Sequence, residues 1–168
     1  ISYAGFIGID SENDIDSLPK IATNAELFSD AGNYGVTLTG GSDNNYNFVS
    51  LTAGTLTIAK ASLLAQADDK SKIYGDENPA LSITYSGFKG NDDAGSLDAA
   101  PAIVTLADMQ SPVGSYAISL SGGSDANYAV TSLSDGVLTI GKASLSAQAD
   151  DKSKTYGDEN PALSITYS

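Results

Sequence analysis

Apolar and polar residues alternate in short runs along the chain, and Gly, Asp, Asn and Pro bound each run. Alternation with a period of two is the pattern of strands that bury one face, and the bounding residues favour turns. Between residues 61 and 142 the pattern predicts six strands, at 61–67, 81–86, 102–107, 115–121, 128–133 and 137–140. The chain is therefore expected to be all-β.

The alternation also predicts which side chains face inward and how the strands are joined. In the strand at 115–121, Tyr116, Ile118 and Leu120 share one face. The sequence GGSDAN at 122–127 favours the left-handed conformations of a hairpin connection. Residues 91–100 predict one short helix, and Asp92 or Asp93 would cap its N-terminus.

The whole pattern repeats with a period of 82 residues, which is the spacing between Tyr74 and Tyr156. Residues 61–86 match residues 143–168 at 24 of 26 positions, the exceptions being Leu64 against Ser146 and Ile73 against Thr155. Residues 1–60 match residues 83–142 at 28 of 60 positions. One part of the unit is therefore nearly invariant, and the other part varies.

The period predicts three segments. Residues 61–142 form a complete 82-residue repeat, residues 1–60 a partial repeat lacking its first strands, and residues 143–168 the first strands of the next repeat. Ala59 and Lys60 alone separate the last strand of one repeat from the first strand of the next. We expect tandem small antiparallel β-domains in an elongated array with stiff joins. An Ig-like sandwich is the preferred topology, and a β-grasp-like sheet with one short helix is the alternative.

Charge and composition narrow the function. Eight basic residues, all lysine, oppose 21 acidic residues, and the net charge of −13 argues against nucleic acid as a partner. The chain lacks Cys and His, which excludes disulfides, thiol or imidazole catalysis and imidazole metal ligands. No run of about 18 apolar residues is present, so no membrane insertion is expected. No catalytic residue is visible, and the chain is not expected to be an enzyme.

The sequence YGDENP at 74–79 has two interpretations. Its carboxylate and amide oxygens beside an aromatic ring suggest a ligand loop, whereas Gly and Pro favour a structural turn. The structural turn is preferred, since Gly tolerates positive φ and Pro holds the preceding residue extended. A covalent bond between Lys70 or Lys72 and Asn78 is a less favoured alternative. The motif residues are Tyr74, Gly75, Asp76, Asn78 and Pro79, with copies at Tyr156, Gly157, Asp158, Asn160 and Pro161.

Carboxylates at every second residue mark a second candidate: Asp10, Glu12, Asp14 and Asp16. This spacing is weakly similar to a calcium loop, although the glycine and glutamate of an EF-hand are missing. A solvated acidic loop is the preferred interpretation, and calcium is the alternative. No other cofactor is predicted.

Tyrosines recur at matching positions of the period. They are Tyr85, Tyr116 and Tyr128, with copies at Tyr3, Tyr34, Tyr46 and Tyr167. Stacking on sugars is one role for such residues. An aromatic at a fixed position in a repeat is more often part of the core or a corner, where its hydroxyl satisfies a backbone group.

Several motifs of the complete repeat together resemble one family. They are Lys-x-Tyr-Gly-Asp-x-Asn-Pro-x-Leu at 72–81, TYSGF at 84–88, SPVGSY at 111–116, SGGSDANY at 121–128 and GVLTIGKA at 136–143. Their order resembles the MBG domains of YGX type, which occur in tandem in large bacterial surface proteins and adhesins. The resemblance implies secretion, display on the bacterial cell surface and a role in an extended stalk or filament. It implies no catalytic residues.

The predicted function is therefore a structural repeat module in the stalk or filament of an extracellular bacterial adhesin. One alternative is an adhesive module that binds a host or environmental glycan or protein through its variable loops. Another is a fibre subunit that self-associates by strand complementation. The expected partners are neighbouring repeats of the same chain, and other copies in a fibre under the second alternative.

Overall fold

The computed structural model describes all 168 residues and contains twelve strands and two single-turn 3-10 helices. The strands are β1 (Lys20–Thr23), β2 (Gly32–Thr39), β3 (Gly54–Ile58), β4 (Ala61–Ala67), β5 (Lys70–Ile73), β6 (Ile83–Ser86), β7 (Ala102–Thr105), β8 (Gly114–Ser121), β9 (Tyr128–Ser134), β10 (Gly136–Gly141), β11 (Ala147–Ala149) and β12 (Ile165–Tyr167). The 3-10 turns are Glu12–Asp14 and Ala94–Ser96. The prediction of an all-β fold is confirmed.

The strands between 61 and 142 belong to two sheets, one in the order β5-β10-β8-β7 and one in the order β6-β4-β9. In the first sheet β8 pairs antiparallel with both β7 and β10, but β10 pairs parallel with β5. That sheet is therefore mixed, which corrects the prediction of purely antiparallel domains. The parallel pair joins strands far apart in the sequence, as parallel pairing requires.

Strand β5 lies at residues 70–73, where the sequence pattern predicts no strand. Its residues, KSKI, are mostly polar and lie in a turn-rich stretch. It becomes a strand because β10 supplies a backbone partner, with Leu138 opposite Lys70 and Gly141 opposite Ile73. Hydrogen bonding to a distant neighbour, rather than side-chain alternation, decides this element.

The predicted hairpin at 122–127 is wrong, because β8 and β9 belong to different sheets. The segment instead connects the sheets, and Gly122 and Gly123 have φ of +70° and +93°. A Cβ on Gly123 would lie 2.8 Å from the Pro101 Cγ, so the turn needs glycine for space as well as for conformation.

Residues 1–60 repeat part of this plan. Their sheet has the order β1-β2-β3, and the corresponding strands of the complete repeat are β7, β8 and β10. Residues 46–52 correspond to β9 but form no strand. In the complete repeat β9 pairs with β4, and β4 has no counterpart within residues 1–60.

Contacts divide the chain into two compact units. Unit 1 comprises 1–64, 85–101 and 122–132, and unit 2 comprises 65–84, 102–121 and 133–168. The largest fully buried side chains are Leu63 in unit 1 and Ile118, Leu138 and Ile140 in unit 2. The repeat boundaries inferred from the sequence stay a prediction.

The inward-facing residues of 115–121 are as predicted for Ile118 and Leu120, which are buried, whereas Tyr116 is half-buried. The predicted short helix at 91–100 is only the single 3-10 turn Ala94–Ser96. Asp93, one of its two predicted caps, accepts a hydrogen bond from the Gly95 N–H at 2.8 Å.

Candidate functional site

Unit 1 contains an open cleft of about 710 Å³ between four segments of the chain. Residues 27–31 and 58–59 line it from the first repeat, and residues 89–92 and 127–128 line it from the second. We call these segments, together with Lys60 and Ala61, the joint. The joint is where two sequence repeats meet without a linker, so its contacts bear directly on how the repeats are held.

The side chain of Asn127 connects the two repeats at the joint. Its Oδ1 accepts a hydrogen bond from the Ala31 N–H at 2.7 Å, and its Nδ2 donates to Asp30 Oδ1 at 2.9 Å. Its backbone carbonyl accepts a third bond, from the Ala61 N–H at 2.8 Å. Both ends of one amide therefore bind the same loop of the preceding repeat.

Asp125 and Lys60 support Asn127. Asp125 Oδ1 accepts from the backbone N–H groups of Asn127 and Tyr128 at 2.7 and 2.9 Å. Its Oδ2 accepts from the Asp98 N–H at 3.1 Å, and the Lys60 ammonium donates to its backbone carbonyl at 2.7 Å. Burial raises the pKa of Asp125, but the three backbone bonds and the nearby lysine outweigh it and hold the pKa below its usual value.

Tyr128 fixes the acidic loop that follows β6. Its hydroxyl donates to Asp92 Oδ2 at 2.7 Å and accepts from the Lys89 N–H at 2.8 Å. Its ring meets that of Phe88 edge to face, with centroids 5.3 Å apart. Burial, followed by the Asp92 carboxylate, raises the pKa of the Tyr128 hydroxyl. Tyr128 is only 4% exposed, so its ring is part of the core while its hydroxyl bonds the loop.

The first repeat has the same set of tyrosine and aspartate hydrogen bonds, which we call the framework, although the loop sequences of the two repeats differ. Tyr46 donates to Asp10 Oδ2 at 2.7 Å and accepts from the Ile7 N–H at 3.0 Å. Asp43 Oδ2 accepts from the Asp16 N–H at 3.0 Å, and the Asp16 carboxylate accepts in turn from residue 44. Two tyrosines at another repeated position bond a backbone carbonyl four residues upstream, Tyr34 to Asp30 and Tyr116 to Pro112. The corner role expected of these hydroxyls is confirmed.

The four calcium candidates lie in this framework. Asp10 and Asp16 make the bonds just described, and Asp14 Oδ2 accepts from the Ser11 N–H at 2.8 Å. Glu12 begins the 3-10 turn. Neither these carboxylates nor any other acidic residues gather into a group of three or more that could hold a metal ion. Calcium binding stays a prediction.

The YGDENP stretch forms a tight turn in unit 2. The Asp76 N–H donates to the Ile73 carbonyl at 3.1 Å, and Gly75 adopts φ of +93°. Beneath the turn the Lys72 ammonium donates to the carbonyls of Asp76 and Asp108, at 3.0 and 2.5 Å. Lys72 is only 8% exposed, so these carbonyls replace the water that a lysine normally keeps.

The turn is tied to the rest of unit 2 by two further bonds. Asn78 Nδ2 donates to the Ala107 carbonyl at 2.6 Å, and the Tyr74 N–H donates to the Gly141 carbonyl at 2.9 Å. Pro79 follows, half-buried. Lys72 and Asn78 therefore each hydrogen-bond to backbone carbonyls.

The second copy of the turn has the same local geometry. The Asp158 N–H donates to the Thr155 carbonyl at 3.1 Å, Gly157 has φ of +97°, and Lys154 donates to the Asp158 carbonyl at 3.2 Å. The other motif residues of this copy, Tyr156, Asn160 and Pro161, are exposed.

A second cavity of about 580 Å³ lies in unit 1, bordered by residues 1–6 and 46–52. These segments correspond to residues 83–88 and 128–134, which contain β6 and β9. In the complete repeat β4 lies between β6 and β9. The cavity therefore occupies the position that a leading strand takes in the complete repeat.

The repeated Tyr-Gly-Asp turn and the repeated framework around Asp43 and Asp125 agree with one family. The family model of the MBG domain (YGX type) matches residues 1–57 and again residues 63–139. The chain belongs to the MBG domain family. The two matches confirm the resemblance and the tandem arrangement of MBG repeats. Comparisons with curated proteins and with solved structures found no match.

The sequence places the joint at Ala59 and Lys60, but it does not mark Asp30 or Asn127 as the residues that bond across it. One signal was present, because Asn127 has a counterpart, Asn45, in the repeated SDxNY sequence. The decisive partner, Asp30, corresponds to Pro112 in the next repeat, so repetition could not reveal it.

No helix of the chain has the length and hydrophobicity needed to cross a membrane.

Proposed function

We propose that this tandem MBG chain is a structural spacer in the stalk of a bacterial cell-surface adhesin. The observation that carries the proposal is the joint: two repeats meet through Ala59 and Lys60 alone, and side chains from both repeats bond across the junction. A spacer extends reach only if its joints resist bending. Direct bonding between consecutive repeats supplies that resistance.

Charge supports the same role. A net charge of −13 spread over 168 residues keeps neighbouring copies apart through mutual repulsion, which suits modules displayed side by side. The carboxylates of Asp43 and Asp125, at equivalent positions of the two repeats, accept hydrogen bonds from backbone N–H groups and so have a structural role. In this proposal the module is extracellular, its main partners are neighbouring repeats, and it has no catalytic role.

Distance measurements between spin labels test the spacer. The chain contains no cysteine, so Ala53→Cys and Ala100→Cys, both at exposed positions of unit 1, provide unambiguous labelling sites in consecutive repeats. We expect double electron–electron resonance to give one narrow distance distribution. A distribution as broad as that of two domains on a flexible Gly/Ser linker would overturn the proposal.

A second candidate function is self-association by strand complementation, and the 580 Å³ cavity favours it. The cavity has the position of a leading strand, and residues 143–149 have nearly the sequence of β4. Leu145, the counterpart of the buried Leu63, is 77% exposed. A second copy could therefore place its Leu145 in the cavity.

Sedimentation equilibrium over a wide range of protein concentration tests this candidate. We expect reversible association that Leu145→Asp abolishes, because a carboxylate cannot enter an apolar groove without a partner. Leu64→Asp, at an exposed position of β4, is the control. A monomer mass at every concentration would exclude self-association and leave the spacer proposal unaffected.

A further inference from the structure

The loop at residues 27–31 has a counterpart of the same shape but different chemistry in the second repeat. Tyr34 bonds the carbonyl of Asp30 at 2.8 Å, and Tyr116 bonds the carbonyl of Pro112 at 2.9 Å. The two loops therefore share one corner geometry. Asp30 supplies a carboxylate to Asn127, whereas Pro112 has none to supply.

A second difference between the loops lies at the aromatic contact. The ring of Phe28 lies over Gly90, where an added Cβ would be 3.0 Å from the ring Cε1. The residue that corresponds to Phe28 is Gln110, which has no aromatic face. Both side-chain contacts that the first loop makes across the joint thus depend on residues that the second loop lacks, whereas the Ala31 contact uses the backbone.

The side chain of Asn127 can distinguish a loop with Asp30 from a loop with Pro112. A primary amide has both an acceptor and donors, and Asn127 uses Oδ1 for the Ala31 N–H and Nδ2 for Asp30. Two bonds from one planar group fix a direction as well as a distance. The backbone of Asn127 is held by Asp125, whose Oδ1 accepts from the Asn127 backbone N–H at 2.7 Å.

We propose that Asp30 and Asn127 form a clamp that locks this joint, and that a loop of the Pro112 type forms an unlocked joint. The inference rests on the proposed spacer function, and it adds that the joints of the array differ in stiffness. The partner that the Asn127 surface recognises is a preceding repeat whose corner loop ends in Asp-Ala. A repeat whose loop ends in Pro-Val keeps only the backbone bond to the amide.

Three variants of the full chain test the clamp. Asn127→Ala removes both amide bonds, and Asn45→Ala is the matched control, since Asn45 has the same backbone bond to its aspartate. Asp30→Pro converts the locked loop to the residue that the second repeat carries in the same corner geometry. Asp30 is exposed, so this variant is expected to fold even if Asn127→Ala does not.

The first readout is hydrogen exchange at the Ala31 amide, which donates to Asn127 Oδ1. We expect exchange at least tenfold faster in Asn127→Ala than in the parent chain, and unchanged in Asn45→Ala. Unchanged exchange in Asn127→Ala would overturn the clamp whatever the shape of the array. This readout is therefore independent of the spacer proposal.

The second readout is the width of the distance distribution between labels at residues 53 and 100. We expect Asn127→Ala and Asp30→Pro to broaden it about twofold or more, and Asn45→Ala to leave it unchanged. A narrow distribution in all variants would overturn the clamp and leave the spacer standing. A broad distribution already in the parent chain, with the Ala31 amide protected, would instead overturn the spacer.

Discussion

Residues 61–86 and 143–168 have nearly the same sequence and very different surroundings. Leu63 is completely buried, whereas its counterpart Leu145 is 77% exposed. Strand β4 runs for seven residues, but its counterpart β11 runs for three, and β5 has no counterpart among residues 152–155. Nearly the same sequence therefore forms a core strand in one place and an exposed hairpin in the other.

What the two copies keep in common is local. Asp68 accepts bonds from the hydroxyls of Ser82 and Thr84, and Asp150 accepts bonds from Ser164 and Thr166. The turns at 73–76 and 155–158 also close with the same backbone bond. These contacts span at most 16 residues and occur in both copies, because both partners lie in the duplicated stretch.

What differs depends on distant partners. In the complete repeat, Lys72 reaches Asp108 and Asn78 reaches Ala107, and β5 pairs with β10. All of those partners lie within residues 87–142. The burial of the stretch, strand β5 and the burial of Lys72 thus depend on the remaining 56 residues of the unit.

The largest effect on stability is expected from truncating the side chain of Leu63. We expect Leu63→Ala to lower the free energy of unfolding by about 2–5 kcal/mol, because the side chain is fully buried and a cavity remains. Leu145→Ala should change it by less than about 0.5 kcal/mol. Urea denaturation at low protein concentration gives both values. Equal losses would show that residues 143–168 are packed like residues 61–86.

The second largest effect on the free energy of unfolding is expected for substitution of Lys72. Lys72→Met should cost about 1–3 kcal/mol, because it removes two hydrogen bonds from an ammonium that is only 8% exposed and leaves the Asp76 and Asp108 carbonyls without this donor. Lys154→Met is the matched control and should be nearly neutral, since Lys154 is exposed and bonds only the local turn. Thermal or urea unfolding measures both variants. A neutral Lys72→Met would mean that water replaces the ammonium.

The aspartates should behave alike in the two copies. The hydroxyls of Ser82 and then Thr84 lower the pKa of Asp68, with a smaller contribution from Lys70, and Ser164 and Thr166 lower the pKa of Asp150. A folded-state pKa below the unfolded value of about 3.9 contributes stability above that pH. This stability is lost as the pH falls through the lower folded value. Carbon-detected NMR titration should place the pKa values of both carboxyl groups below about 3.9. An unshifted pKa for Asp150 would show that its hydrogen bonds differ from those of Asp68.

The smallest expected effect concerns the acidic loops at 7–16 and 89–98, whose frameworks match although their sequences differ. We expect millimolar calcium to shift the unfolding temperature by less than about 1 °C, because Asp10 and Asp16 already accept protein hydrogen bonds. Calorimetry with calcium and with a chelator measures the shift. A rise of several degrees, abolished by Asp14→Asn, would establish a calcium site in the first loop.

Much of the fold was predictable because it depends on short-range pattern. The alternation located β4 at residues 61–67, and the strands at 114–121 and 128–134 were found within one residue at either end. The sequence could not place β5 or exclude a hairpin at 122–127. Both depend on which strands become neighbours, and β8 and β9 enter different sheets.

The candidate site was less predictable than the fold. The framework tyrosines and aspartates recur in both copies, so repetition marks them as structural. Asp30 and Asn127 are 97 residues apart, and only one of them has a chemically equivalent counterpart. A contact of this kind leaves no periodic signal.

Local sequence accounts for the all-β character, the 82-residue period, the Tyr-Gly-Asp turns and the short-range bonds of Asp68 and Asp150. These features need only neighbours within one short stretch, and they are the same wherever that stretch occurs. The parallel β5–β10 pair, the burial of Leu63 and Lys72, and the clamp between Asp30 and Asn127 arise only when distant parts of the chain come together. The physical reason is that burial and long-range hydrogen bonds require partners that the local sequence does not contain.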